Sequence, residues 1–171
     1  VMKKIISKAT AAKDYGQLLA AEIRQAILWR EISPDSLTPN VKRMETEALK
    51  AKDPVLKAVR YAVLGKVYRE VNGKKSEEFF KKALEQPELL ARNASSGYVP
   101  LTLKGVDGSS FNNDLLHLIG FEADSKEAYH LMYTYYNKVG NRGAACLCAY
   151  KLIEKYRQDD VREVRKSKYL N

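Results

Sequence analysis

The chain has 171 residues, of which 45% are hydrophobic and 30% charged, a balance typical of a folded globular protein rather than a disordered or collagen-like one. It contains no run of about 18 apolar residues for a membrane span, and its first residues lack the pattern of a signal peptide. Its formal charge is +9, but no block of about five like charges occurs, so a solvated basic surface is favoured over a nucleic-acid groove.

Apolar residues recur at helical spacing along most of the chain, and no segment alternates as a strand would. We therefore predict an all-α fold. A turn at residues 14–16 ends the first helix, and a break at residues 33–35 separates the second helix from the third. Asp53 is the predicted N-cap of the fourth helix, with Pro54 at its first position.

Two further boundaries are predicted in the middle of the chain. Asn72 and Gly73 are expected to close the fourth helix with a left-handed C-cap. A fifth helix then starts at Ser76 and reaches Leu84, and Pro87 begins another short turn.

Turn-forming residues, including Gly105 and Asp107, are dense between about residues 94 and 110, which predicts an irregular excursion. Helical pattern resumes over residues 112–121, then over 125–139, and again from 141 to about 156. The charged tail at about 158–171 is expected to fray.

The predicted helices repeat as hairpins. In the first unit the aromatic, small and turn residues are Tyr61, Leu64, Gly65, Tyr68, Gly73, Phe80, Ala83 and Pro87. In the second unit the corresponding residues are Tyr129, Tyr136, Gly140 and Ala145, with Tyr133 where the repeat has glycine. Both units resemble the tetratricopeptide repeat, and a fainter unit lies within residues 1–31. The expected architecture is a superhelix of stacked antiparallel hairpins with about seven to nine helices.

Asp114 and His117 are the first candidates for chemistry, because residues three apart on a helix share a face and could orient each other or hold a metal. We favour a structural interpretation, with Asp114 at a helix start and His117 a core residue. Tyr129, Tyr133 and Tyr136 share a face near Arg142, and packing is favoured there over a ligand platform. The candidate interaction surface is Asp114, His117, Tyr129, Tyr133 and Arg142.

No phosphate-binding, nucleotide-binding, zinc-protease or serine-hydrolase motif occurs, so we predict a non-enzymatic protein without cofactor or metal. A helical enzyme built on Asp114, His117 and Tyr129 is the least favoured class. Cys146 and Cys148 lie two apart, which on a helix points them about 200° from each other. They are predicted to be unbonded, buried thiols that pack as small hydrophobic residues.

Five segments resemble one family. They are residues 15–19 (YGQLL), 32–36 (ISPDS), 52–58 (KDPVLKA), 111–120 (FNNDLLHLIG) and 140–145 (GNRGAA). Together they are similar to the helical N-terminal region of the large alpha-2-macroglobulin-like proteins of Bacteroidetes. The resemblance implies a leading module of an exported, envelope or periplasmic protein that precedes β-sandwich domains and a protease-trapping apparatus. Neither cysteine has the Cys-x-Glu-Gln context of the thioester that this apparatus commonly uses.

We therefore expect residues 1–171 to form one helical, repeat-like domain. Because the chain opens with Val1 rather than Met, we expect it to be a piece of a longer chain. Its predicted partners are a protein or the adjacent domains of that chain. The alternative is a basic helical nucleic-acid-binding protein, and without the family resemblance the expected location is the cytoplasm.

Overall fold

The computed structural model describes residues 2–12, 14–32, 34–69, 71–101 and 108–169. Within these ranges the chain forms nine α-helices, two short 3-10 helices and no β-strand, which confirms the all-α prediction and the predicted number of helices. No described helix combines the length and apolar composition that crossing a bilayer requires.

The first three helices are α1 (Met2–Ala11), α2 (Tyr15–Ile32) and α3 (Pro34–Lys50). The predicted turn at residues 14–16 lies partly inside a helix, because α2 already begins at Tyr15. Only Asp14 of that turn precedes the helix, and its carboxylate accepts a hydrogen bond from the Gln17 backbone N–H at 3.1 Å. Ser33 lies outside the described residues. Helix α2 packs against α1, α3, α4 and the first 3-10 helix, so it is central to this half of the chain.

Helices α4 (Pro54–Tyr68) and α5 (Gly73–Ala83) form a hairpin. Asp53 is the N-cap of α4, and its carboxylate accepts from the Leu56 N–H at 2.8 Å, with Pro54 at the first helical position as predicted. A Cβ added to Gly65 would lie 2.6 Å from the Phe80 ring, so only glycine allows this close approach of the two helices. The Ser76 hydroxyl fixes the same contact by donating to the Gly65 carbonyl at 2.7 Å.

The predicted left-handed C-cap at Asn72 and Gly73 is wrong. Asn72 is instead the N-cap of α5, where its side-chain oxygen accepts from the Lys75 N–H at 3.1 Å, and Gly73 is the first helical residue. Helix α4 has already ended at Tyr68, with Arg69 in right-handed helical conformation. An Asn-Gly pair serves either role, and here the side chain of Asn72 satisfies the open N–H groups of the following helix.

The described residues of the predicted excursion, 94–101 and 108–110, form 3-10 helices and turns rather than an α-helix. The 3-10 helices are Ser96–Leu101 and Ser109–Phe111, and they lie between α6 (Pro87–Ala91) and α7 (Leu115–Ala123). Gly105 and Asp107 lie outside the described residues. Helix α7 begins three residues later than predicted, because Asn112 (φ 55°) and Asn113 (φ 50°) adopt left-handed conformations that interrupt a helix.

Helices α8 (Lys126–Lys138) and α9 (Arg142–Tyr169) form the second hairpin. Gly140 at φ 79° makes the left-handed turn between them, as the repeat predicts. Ion pairs join the far end of the hairpin, with Lys126 Nζ 2.7 Å from Asp159 Oδ2 and Lys155 Nζ 2.7 Å from Asp124 Oδ2. The two helices are therefore antiparallel.

The predicted end of the last helix near residue 156 is also wrong, since α9 continues to Tyr169 through the segment expected to fray. No Gly or Pro follows Gly143, and Lys, Arg and Glu are good helix formers, so nothing local stops the helix. Residues 170 and 171 lie outside the described part.

One continuous apolar core joins the helices from Leu19 on α2 to Cys148 on α9. Helix α7 lies inside it and packs against α4, α5, α6 and α8. The two hairpins are therefore joined through α7 rather than stacked directly on each other. A tetratricopeptide-like superhelix stays a prediction.

Candidate interaction site

Asp114, the first candidate for chemistry, is buried and fully engaged with its own fold. It is the N-cap of α7, where its carboxylate accepts from the His117 backbone N–H at 2.8 Å. The Tyr136 hydroxyl approaches both carboxylate oxygens, at 2.9 and 2.7 Å. This confirms the interpretation of Asp114 as a helix-start residue and shows that the same carboxylate anchors α8 to α7.

His117 is a core residue, as the structural interpretation predicts. Its side chain is 2% exposed, its ring stacks on Phe111 with centroids 5.3 Å apart, and Nδ1 lies 3.2 Å from Asp114 Oδ1. Among the described residues no group of three His, Cys, Asp or Glu side chains converges as a metal site would. The Asp114 and His117 pair therefore acts in packing and orientation.

The tyrosines of α8 divide into buried and exposed ones. Tyr129 and Tyr136 are buried, and burial together with the carboxylates of Asp124 and Asp114 raises both pKa values far above the usual range for tyrosine. Tyr133 is 37% exposed, because it lies about 40° beyond Tyr129, away from the side of α8 that packs on the core. The face that the three tyrosines were predicted to share is therefore buried at Tyr129 and Tyr136 and exposed at Tyr133.

The five residues of the predicted interaction surface do not come together as one patch. Asp114, His117 and Tyr129 are buried, whereas Tyr133 on α8 and Arg142 at the start of α9 are exposed. Of these five residues, only Tyr133 and Arg142 have side chains that a partner could contact.

A groove that the sequence did not indicate runs between α5 and the junction of α7 with α8. It has a volume of about 670 Å³. Apolar side chains line it, and they are Phe80, Leu84, Ala123, Ala128 and Leu131. Charged side chains of both signs line its walls, and they are Lys74, Glu77, Glu78, Lys81 and Glu127. An apolar floor between charged walls is the usual construction of a site for a polypeptide segment.

Ion pairs between α4 and α7 hold the groove in shape. Glu122 Oε1 on α7 lies 3.1 Å from Nζ of Lys66 on α4 and 3.4 Å from Nη1 of Arg69, the residue that follows α4. The Arg69 guanidinium also donates to the Glu122 carbonyl and lies 5.4 Å from the centroid of the Phe80 ring. Because Phe80 is part of the groove floor, this cluster fixes both the floor and the position of α7.

The sequence also gave no indication of a second buried carboxylate, that of Glu22 on α2. Its side chain is 3% exposed, and its oxygens lie 3.8 and 3.7 Å from Nη1 of Arg43 and Arg60. Both arginines approach Glu47 more closely, at 2.5 and 3.0 Å, so Glu22 Oε2 has no hydrogen-bond partner. Burial raises the pKa of Glu22 despite the attraction of Arg60. Its contacts with the two arginines join α2, α3 and α4.

The two cysteines are unbonded as predicted, but only one is buried. Burial and the nearby Asp114 raise the pKa of the Cys148 thiol to about 12, so it packs as a small hydrophobic residue. The prediction is wrong for Cys146, which faces solvent because it lies on the opposite side of α9.

Comparison with protein-family models, with curated proteins and with solved structures gave no match in any of the three.

Proposed function

We propose that this chain is a non-enzymatic interaction module, and that the groove between α5 and α8 holds a polypeptide segment. The groove itself is the observation that carries the proposal. Apolar and charged side chains of both signs line it together, and peptide segments need both kinds of contact. Asp114, His117 and Tyr129, the side chains that the least favoured enzyme class would use, are engaged in the core, which leaves the groove and the exposed residues for the proposed function.

We further propose that the occupant is an adjoining domain of the same longer protein, of the alpha-2-macroglobulin-like class in the bacterial envelope. The five sequence segments that resemble that family support this assignment. Two of them lie at the structural joints of the chain, since residues 52–58 start α4 and residues 111–120 hold the Asp114 cap. A leading helical module of such a protein would position its neighbouring domain rather than carry out chemistry.

Site-specific photo-cross-linking in the native host tests this function. A photoreactive amino acid replaces Lys81, which lines the groove, and in a matched control replaces Lys42, an exposed lysine on α3. We expect position 81 to cross-link to another segment of the same polypeptide and position 42 to give no such product. Equal products from both positions, or none, would refute the interaction site. A separate protein cross-linked only at position 81 would refute the leading-module assignment.

A basic nucleic-acid-binding protein is the second candidate, because the charge of +9 favours an anionic partner. Several of the basic side chains are already paired with carboxylates, among them Arg43, Arg60, Lys66, Lys126 and Lys155. We therefore expect no binding to generic duplex DNA or single-stranded RNA at low salt. Binding that weakens steeply with added salt would favour this candidate instead.

A further inference from the structure

Helix α9 has an exposed apolar face that the interaction groove does not use. Leu147, Tyr150, Ile153 and Val161 are 43 to 58% exposed, and they lie on the side of α9 that faces away from α8. We call this the α9 outer face, and Glu154 and Arg157 lie on it between the apolar side chains. Several large apolar residues on one helix face typically mark a contact surface.

Helix α9 is also longer than its hairpin partner α8. Its 28 residues span about 42 Å, whereas the 13 residues of α8 span about 20 Å. Lys126, the first residue of α8, pairs with Asp159, so the part of α9 after that residue extends beyond α8. Val161 of the outer face lies in this extension, which α8 does not cover.

The charges of the outer face are self-complementary. When two α9 helices run antiparallel with Glu154 opposite Arg157 of a second copy, the two-fold axis also places Arg157 opposite the second Glu154. The same register places Tyr150 opposite Val161 at both ends. Among the described side chains Arg157 forms no ion pair, and Glu154 Oε2 lies 2.8 Å from Lys151 Nζ.

We propose that the α9 outer face binds a second copy of this chain in this antiparallel register. The contact covers one helix face, less than the roughly 800 Å² per partner of a standard stable interface. The dimer therefore forms reversibly, at concentrations of about 10 to 100 μM or above.

Sedimentation velocity from about 1 to 500 μM in reducing buffer, which prevents cross-linking through Cys146, measures this equilibrium. The wild type is expected to shift from monomer to dimer across the series. Glu154→Arg alone and Arg157→Glu alone are each expected to weaken the dimer at least about tenfold by placing like charges opposite each other. Lys42→Glu on α3 is the control, with an unchanged equilibrium. Circular dichroism verifies that each variant is folded.

The decisive sample is an equimolar mixture of the two single variants. In the proposed register every contact in a mixed dimer again joins opposite charges, so the mixture is expected to dimerise where neither variant does alone. A wild type that stays monomeric up to 500 μM would overturn the proposal and leave the face to another occupant. If neither Glu154→Arg nor Arg157→Glu weakened the dimer, or if the mixture of the two variants did not dimerise, the register and with it this interface would be overturned. None of these results depends on whether the groove between α5 and α8 is occupied.

Discussion

Replacing Asp114 with alanine removes both roles of that carboxylate, the cap of α7 and the acceptor for Tyr136. The variant loses the N-cap of α7, which is worth about 1 kcal/mol. It also leaves the buried hydroxyl of Tyr136 without its acceptor, at a cost of about 1 to 3 kcal/mol. The hydroxyl lies 2.7 Å from Asp114 Oδ2, and both residues are buried away from bulk solvent. We expect Asp114→Ala to lower the free energy of unfolding by about 3 kcal/mol.

Asp53→Ala is the matched control, because Asp53 makes the same cap at the same distance of 2.8 Å but is exposed. It is expected to cost only about 1 kcal/mol. Urea unfolding followed by far-ultraviolet circular dichroism gives both values. Adding Tyr136→Phe to each alanine variant tests whether the larger loss of stability comes from the Tyr136 hydroxyl. The two substitutions should be non-additive in the free energy of unfolding when combined with Asp114→Ala, and additive when combined with Asp53→Ala. If the two alanine variants lose equal stability, the proposed anchoring of α8 by Asp114 is wrong.

Three further results are expected. Gly65→Ala should lower the free energy of unfolding by about 1 to 2 kcal/mol, because crowding against Phe80 outweighs the better helix propensity of alanine; thermal unfolding measures the loss. Because the pKa of Glu22 is raised above 4.5, the folded state binds its proton more tightly, and wild-type stability falls as pH rises through that raised pKa. As the pH rises from about 4.5 to about 7.5, the free energy of unfolding of Glu22→Gln should therefore increase relative to that of the wild type. Urea unfolding at the two pH values measures this difference. Maleimide should label Cys146 rapidly in the native protein and Cys148 only after unfolding, as mass spectrometry would detect.

Local signals made most helix starts predictable. Asp53 followed by Pro54 is the signal of a helix start, and α4 begins there. Asn72 followed by Gly73 is compatible with either the end of one helix or the start of the next. Which of the two forms depends on how α5 packs against Gly65, which lies in another helix. The end of α9 was misplaced because a charged segment without Gly or Pro is helical or frayed according to what surrounds it.

The groove between α5 and α8 was not predictable in the same way. Its floor combines Phe80 and Leu84 with Leu131, and only the position of α7 brings these helices together. Glu22 was missed for a related reason, since it lies in an apolar stretch of α2 and its counter-charges come from α3 and α4. Sequence periodicity identifies which residues are buried on a helix, but it does not identify the residue that each one meets.

Cysteine accessibility in the groove tests the interaction site most directly. Glu127→Cys places a thiol in the groove wall and Lys42→Cys places one on α3, each in a Cys146→Ser background. In the isolated chain both thiols should react with maleimide at similar rates. In the native host, position 127 should be protected at least about tenfold while position 42 stays reactive, because a bound segment covers the groove. Equal labelling of the two positions in the native host would contradict the account.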